Sequence, residues 1–259
     1  MPFPLPFTPG APLFDAHAHP QDTRFGAEAL AEFRRVALEC GVTGCCACAT
    51  NPEDWAATLA LPGRFGRGFE VIVALGVHPW WAGDVGGAWT EELESLLAAN
   101  PGALVGECGL DGVRDVPFEE QRKALVAQLE IAARLGRGVA LHGARAWGQL
   151  ADAVRPFAGR IPFFIAHAYG GSVETMRELV AMGAYISFGG AVCNPSASRV
   201  RAAAAACPAD RLLVETDAPD MMPKNGAPFF APGKSGAPLN GPQNLPMVAA
   251  QVAALRAGA

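Results

Sequence analysis

The chain has 259 residues, 51% of them apolar, enough to bury one large core or two small ones. A formal net charge of −5 and the lack of any run of Lys or Arg exclude an extended basic face of the kind that tracks duplex DNA. No uninterrupted apolar stretch approaches the ~18 residues of a membrane span, and the Pro-rich start, Met1 to Pro12, lacks the basic region of an export signal.

Eight short apolar runs predict strands: Leu13–Ala16, Gly44–Ala49, Val71–Val77, Ala103–Cys108, Gly138–Leu141, Pro162–Ala166, Ala184–Phe188 and Leu212–Val214. Helical patterns separate most of them. From Ala27 to Cys40, Leu30, Phe33, Val36, Ala37 and Cys40 follow i, i+3, i+4 spacing, with Gly41 as the stop. From Phe118 to Leu135, Glu119 and Glu120 open a helix and Arg134 and Gly136 close it, as the helix dipole favours. Ser172 caps a helix running to Met182, and Pro246 to Arg256 reads as the last helix. Eight strands alternating with helices predict an α/β fold, a (β/α)8 TIM-type barrel forming a single domain over residues 1–259. The alternative is a doubly wound open sheet, weakened because no GxGxxG follows the first strand. The Pro/Gly-rich segment Met221–Pro246 is too long for an ordinary connection and is expected to cover the C-terminal face of the barrel, as a surface loop or in contact with substrate.

The seven cysteines are odd in number and form no facing CxxC pairs, so a zinc ribbon is not expected, and a reducing, cytoplasmic setting is. Three of them, Cys45, Cys46 and Cys48, lie in the second run, where Cys serves as a small hydrophobe.

The ionisable residues fall at the ends of these runs. His17 and His19, two apart on a strand, share one face. His78 ends the third run, Glu107 lies near the end of the fourth, His142 ends the fifth, His167 the sixth and Asp217 the eighth. In a parallel barrel all these ends gather at the C-terminal face. Singly, each has a bland reading: a core histidine, a buried ion-pair member, or a helix cap at Asp217. Together they would cost several kcal/mol each, roughly, to bury without compensating charge, and a dication removes that cost. A ligand set of nitrogen and oxygen suits Zn, Mn, Fe or Mg.

The segments Phe14-Asp15-Ala16-His17-Ala18-His19, Gly76-Val77-His78-Pro79, Gly106-Glu107-Cys108-Gly109-Leu110-Asp111 and Glu215-Thr216-Asp217-Ala218-Pro219 resemble signatures of the TatD-like metal-dependent deoxyribonucleases, a family of amidohydrolase-like barrels. Gln121-Arg122, His142, His167 and Asn244-Leu245-Pro246 extend the resemblance, in order, from about Phe14 to Arg256. It implies two divalent metal ions (Mg, Mn or Zn) held by His17, His19, Glu107, His142, His167 and Asp217, with Glu107 bridging. It further implies metal-assisted hydrolysis of a phosphodiester in DNA, single-stranded or at 3' ends, or of a small phosphoester. Asp217 would orient the water and take its proton, and His78 would contact phosphate from outside the ligand set, with Arg145 or Lys224 as further phosphate contacts. No membrane and no obligate protein partner is implied. The competing readings are an amidohydrolase acting on a small ester, lactone, amide or phosphoester, and a non-catalytic metal-binding scaffold.

The chain departs from the family pattern at Gly143-Ala144-Arg145-Ala146, where Ser-Arg-Asp-Ala is typical, and at Gly112-Val113. Ala168-Tyr169-Gly170-Gly171-Ser172 resembles a TatD-related subgroup, and the stretch from Met222 to Gln243 is longer than the typical connection. Trp80 and Trp81 read as loop packing, with stacking on a base or an apolar substrate group as the other reading.

Overall fold

The computed structural model describes residues 6–26, 29–229 and 238–258. The eight predicted runs are the strands of one parallel sheet: β1 (Leu13–Ala18), β2 (Val42–Cys48), β3 (Glu70–Leu75), β4 (Leu104–Asp111), β5 (Val139–Ala144), β6 (Phe164–Ala166), β7 (Ala184–Phe188) and β8 (Leu212–Val214). Each strand pairs with the next in sequence order, which excludes the doubly wound sheet, whose order reverses at a switch point. The chain after β8 returns to β1 and closes the barrel. Asp217 N–H donates to His17 O (2.9 Å), His19 N–H donates to Ala218 O (2.7 Å), and buried Asp15 accepts from the Thr216 hydroxyl (2.5 Å) and N–H (2.9 Å).

The helices are α1 (Ala29–Glu39), α2 (Pro52–Phe65), α3 (Trp89–Ala99), α4 (Phe118–Leu135), α5 (Trp147–Val154), α6 (Val173–Ala181), α7 (Ser198–Ala206) and α8 (Leu245–Ala257). The first residues expected of the first helix, Ala27 and Glu28, lie outside the described residues, as does part of the Met221–Pro246 segment. None of the described helices is long and apolar enough to cross a membrane. The larger core lies between the sheet and the helices and includes Phe33, Leu61, Leu97, Leu129, Leu150 and Phe188. A smaller cluster fills the barrel itself: Phe14, Ala16, Cys46, Cys48, Ala74, Leu104, Ala140, Ile165 and Leu213.

Two irregularities in this inner layer create the site. In β1 the pairing steps from Asp15↔Cys45 to Ala18↔Ala47, three residues against two. In β4 it steps from Val105↔Val139 to Cys108↔Leu141, again three against two. Each extra residue reverses which side chains face inward. Phe14 and Ala16 fill the barrel below the first shift, and His17 and His19 face its mouth above it. Leu104 lies inside below the second, and Glu107 above. At Gly106 (φ +136°) a Cβ would meet Ala140 O at 2.6 Å, so only glycine permits this approach of β4 to β5.

Candidate metal centre

Glu107, 2% exposed, is the hub of the site. Its Oε1 lies 2.8 Å from His142 Nδ1, 2.8 Å from His167 Nε2 and 3.3 Å from His78 Nε2. Its Oε2 lies 3.1 Å from His17 Nε2 and 3.5 Å from His19 Nε2. Asp217 Oδ1 completes the cluster, 3.3 Å from His19 Nε2 and 3.7 Å from His17 Nε2. All the residues expected at the barrel mouth are thus brought together, from β1, β4, β5 and the segments after β3, β6 and β8. Among the described residues, three sets have donor atoms close enough to share an ion: His17, His19 and Asp217; His78, Glu107 and His142; and His17, His167 and Glu215.

The ring nitrogens facing away from the centre determine what the inner ones can do. His19 Nδ1 sits 2.6 Å from the Cys48 carbonyl, which can only accept, so that nitrogen carries a proton and Nε2 faces inward bare when the ring is neutral. His142 Nε2 donates to Asp111 Oδ2 (3.0 Å), which leaves Nδ1 free toward Glu107. His167 Nδ1 lies 3.5 Å from Glu215 Oε1, an ion-pair distance without a hydrogen bond, and Glu215 itself accepts from Ala168 N–H (2.5 Å). His17 Nδ1 contacts Cys48 Sγ at 3.4 Å. His78 is oriented the opposite way. Its Nδ1 accepts from Trp80 N–H (3.2 Å), so Nε2 holds the proton and donates toward Glu107.

The electrostatics follow from this crowding. Burial opposes the Glu107 carboxylate, but His167, His78 and His17 outweigh it and hold its pKa well below the usual range. Burial also opposes a charged His19, and the Asp217 carboxylate overcomes it, raising His19 to about 9. His142 and His167 are raised similarly, against burial, by Asp111 with Glu107 and by Glu107 with Glu215 respectively. At His78 burial outweighs the pull of Glu107 and takes the pKa down to about 4, so it is neutral at pH 7.

His19, His78, Glu107, His142, His167 and Asp217 line a cavity of about 610 Å³, with His17 buried behind them. Its wall also holds Asp111, which accepts from Trp80 Nε1–H (2.6 Å) and from the Val113 and Arg114 N–H groups. The sequence offered Asp111 only as part of a motif, and Glu215 likewise. Arg24 lines this cavity, tied to Asp22 and Asp220, and no sequence feature marked it. Trp80 and Trp81 are 41% and 42% exposed and line the cavity, so neither is fully packed; the Arg114 guanidinium covers one face of Trp80 at 4.2 Å. Arg145 does not line the central cavity; it opens onto a second cavity beside it. Lys224 is exposed and lines neither. The described ends of the long segment are fixed. Met221 lines the central cavity, Phe229 bridges to Leu239, and Asn240 donates to Thr216 O (2.7 Å).

A closed parallel barrel with histidines and carboxylates gathered at its mouth defines a metal-dependent hydrolase. The TatD-related DNase family profile matches residues 14–258. The chain is 33% identical over 220 residues to the 3'-5' ssDNA/RNA exonuclease TatD of Shigella flexneri, covering 84% of this chain and 81% of that protein. It is 34% identical over 221 residues to the uncharacterized metal-dependent hydrolase YjjV of Escherichia coli, covering 83% and 82%. The crystal structure of the latter superposes with a TM-score of 0.81 at 30% identity, covering 95% of this chain and 90% of that one. The chain belongs to the TatD-related DNase family.

Proposed function

We propose that this protein is a nuclease that hydrolyses phosphodiester bonds at the ends of single-stranded nucleic acid, with two divalent ions, Mg, Mn or Zn. Their ligands are His17, His19, Glu107, His142, His167 and Asp217. The observation that carries this reading is a pair of nitrogen–nitrogen contacts. His17 Nε2 lies 3.3 Å from His19 Nε2, and His142 Nδ1 lies 3.2 Å from His167 Nε2. In the neutral rings the facing lone pairs would repel at that distance, and the outward nitrogens of His19 and His142 are held by Cys48 and Asp111. Neutral imidazoles arranged in this way around two carboxylates fit a dication. Glu107, reached by histidines on both oxygens, would offer one oxygen to each group of histidines.

Held by these residues, a dication would supply Lewis-acid chemistry, polarising a phosphoryl oxygen and lowering the pKa of a water toward ~7. Asp217 orients that water and accepts its proton. It is suited to both tasks because His19, with His167 and His17 nearby, overcomes burial and keeps its carboxyl below the usual range and ionised. His78, proton on Nε2, donates to a phosphoryl oxygen rather than joining the ligand set. A single-stranded end, rather than duplex, is supported by the acidic net charge and by the named activity of the Shigella relative. We read residues 1–259 as one domain and place the protein in the cytoplasm, where its seven free cysteines stay reduced.

The test is metal-loaded protein assayed on end-labelled single-stranded DNA beside a panel of esters and lactones. Asp217→Asn and Glu107→Ala each lower DNA turnover by about 10³-fold or more with the circular-dichroism spectrum unchanged. Unchanged turnover in both variants, or activity confined to the lactones and esters, defeats the reading.

A further inference from the structure

The two sequence departures at Gly143–Ala146 and Ala168–Ser172 lie far apart in the chain and meet in space. Together they build most of a second cavity, about 500 Å³, beside the first. The two share Gly143, Ala144 and Ala168, so only small residues separate them.

Their chemistry is opposite. The central cavity is lined by six carboxylates: Asp22, Asp54, Glu107, Asp111, Asp217 and Asp220. The second has none; its charged residues are Arg145 and Arg199. Neither arginine has an ion pair or side-chain hydrogen bond among the described residues, in a chain of net charge −5 where Arg24, Arg35, Arg134, Arg155 and Arg160 are all paired with acids. Arg145 occupies a positive-φ conformation (+52°), one that a non-glycine residue adopts only when its surroundings impose it.

A third donor points the same way. Trp147 is 7% exposed and forms part of the wall, and its indole N–H has no acceptor among the described residues. Gly143 makes room for the ring, since a Cβ there would lie 2.6 Å from it, and a Cβ at Gly171 would meet Tyr169. Ser172 and Thr175, at the start of α6, complete the wall; the Ser172 hydroxyl is taken up by Thr175 N–H and Glu174, which leaves the Thr175 hydroxyl as the further polar group. Glu174, on the same turn, is not part of it.

We propose that this second cavity is an anion subsite that takes a backbone phosphate of the strand next to the one being cut. Arg145 and Arg199 supply the charge, and Trp147 Nε1–H a fixed donor. The inference rests on the reading of a polynucleotide substrate. It gives the acidic protein a place to hold the strand outside the metal centre.

The experiment measures anisotropy of a fluorescein-labelled phosphorothioate decathymidylate, in magnesium, against salt concentration. Arg145→Gln/Arg199→Gln weakens binding about tenfold and lowers the slope of log K against log salt by about 0.7 for each phosphate no longer neutralised. Arg67→Gln, which removes a charge before β3 at the opposite end of the barrel, leaves both unchanged. On a cleavable strand the double variant raises KM and keeps kcat. Absence of binding by the unaltered protein, or equal affinity and equal slope in the double variant, overturns the subsite. A protein that binds as expected but cuts no strand with Mg, Mn or Zn refutes the nuclease reading and leaves the subsite standing.

Discussion

Three of the four histidines proposed as ligands have a neighbour on the outward nitrogen: Cys48 for His17 and His19, and Asp111 for His142. Asp111 is the clearest case, because it holds both His142 Nε2–H and Trp80 Nε1–H. Asp111→Asn weakens the grip on the His142 tautomer and lowers metal affinity by about 10- to 100-fold, read by competition with a chelator. The same substitution shifts Trp80 fluorescence, which separates rupture of this hydrogen bond from a general loosening. His78 is set the other way, and His78→Gln tests the distinction: metal affinity is held while kcat falls. A large drop in metal affinity in that variant would place His78 among the ligands, where its proximity to Glu107 and His142 also allows it.

At the scale of elements, α4 works as a clamp on the strand ends. Buried Gln128 accepts from Val77 N–H (2.8 Å) and donates to Val77 O (3.1 Å), fixing the segment that carries His78. Gln121, two turns earlier, does the same for Asp111, accepting from its N–H (2.7 Å) and donating to its carbonyl (3.0 Å). Gln128→Leu strands the Val77 N–H in the interior and costs about 1–3 kcal/mol, measured as a shift of the urea midpoint at constant m. A midpoint unchanged from the native protein would mean that the segment holds itself. The helices legible in the sequence, α1 from its spacing, α4 from its terminal charges, α6 from its Ser172 cap, and α8, each bury apolar residues along one side. Three of the others gave weaker signals for visible reasons: α2 carries Pro62 and Gly63 in its length, α5 is eight residues long, and α7 is mostly alanine.

Across the whole molecule, metal bound at the proposed centre would couple to stability, because the proposed ligands His17, His19 and Asp217 come from both sides of the β8–β1 closure. Saturating metal at about 1,000 times Kd adds about 4 kcal/mol, so chelation lowers Tm reversibly. The effect depends on pH with a definite sign. In the metal-free protein His19 is raised from 6.5 to about 9, so its contribution to stability is complete below 6.5 and is lost as pH rises through 9. His142 and His167 act in the same direction. Metal binding needs these rings neutral and displaces the same protons, so the metal-induced rise in Tm grows between pH 6.5 and 9. Equal metal-induced shifts at the two pH values would refute this coupling.

The sequence by itself determined the eight strands, because each is a short apolar run closed by a polar residue or by glycine. It placed His17, His19, His78, Glu107, His142, His167 and Asp217 at one mouth, because parallel strands end on one side. What it could not show was facing. Phe14 and His17 are an odd number of residues apart, as are Leu104 and Glu107, so regular strands would put each pair on opposite faces. The register shifts in β1 and β4 bring them to the same side, and those shifts arise from pairing with β2 and β5, not from local propensity. The roles of Asp111, Glu215, Gln121 and Gln128 are tertiary for the same reason: each acts through a backbone or ring brought close only by folding. Likewise Arg145 looked like a phosphate-binding residue at the metal centre, and the turn after β5 carries it into the cavity next door.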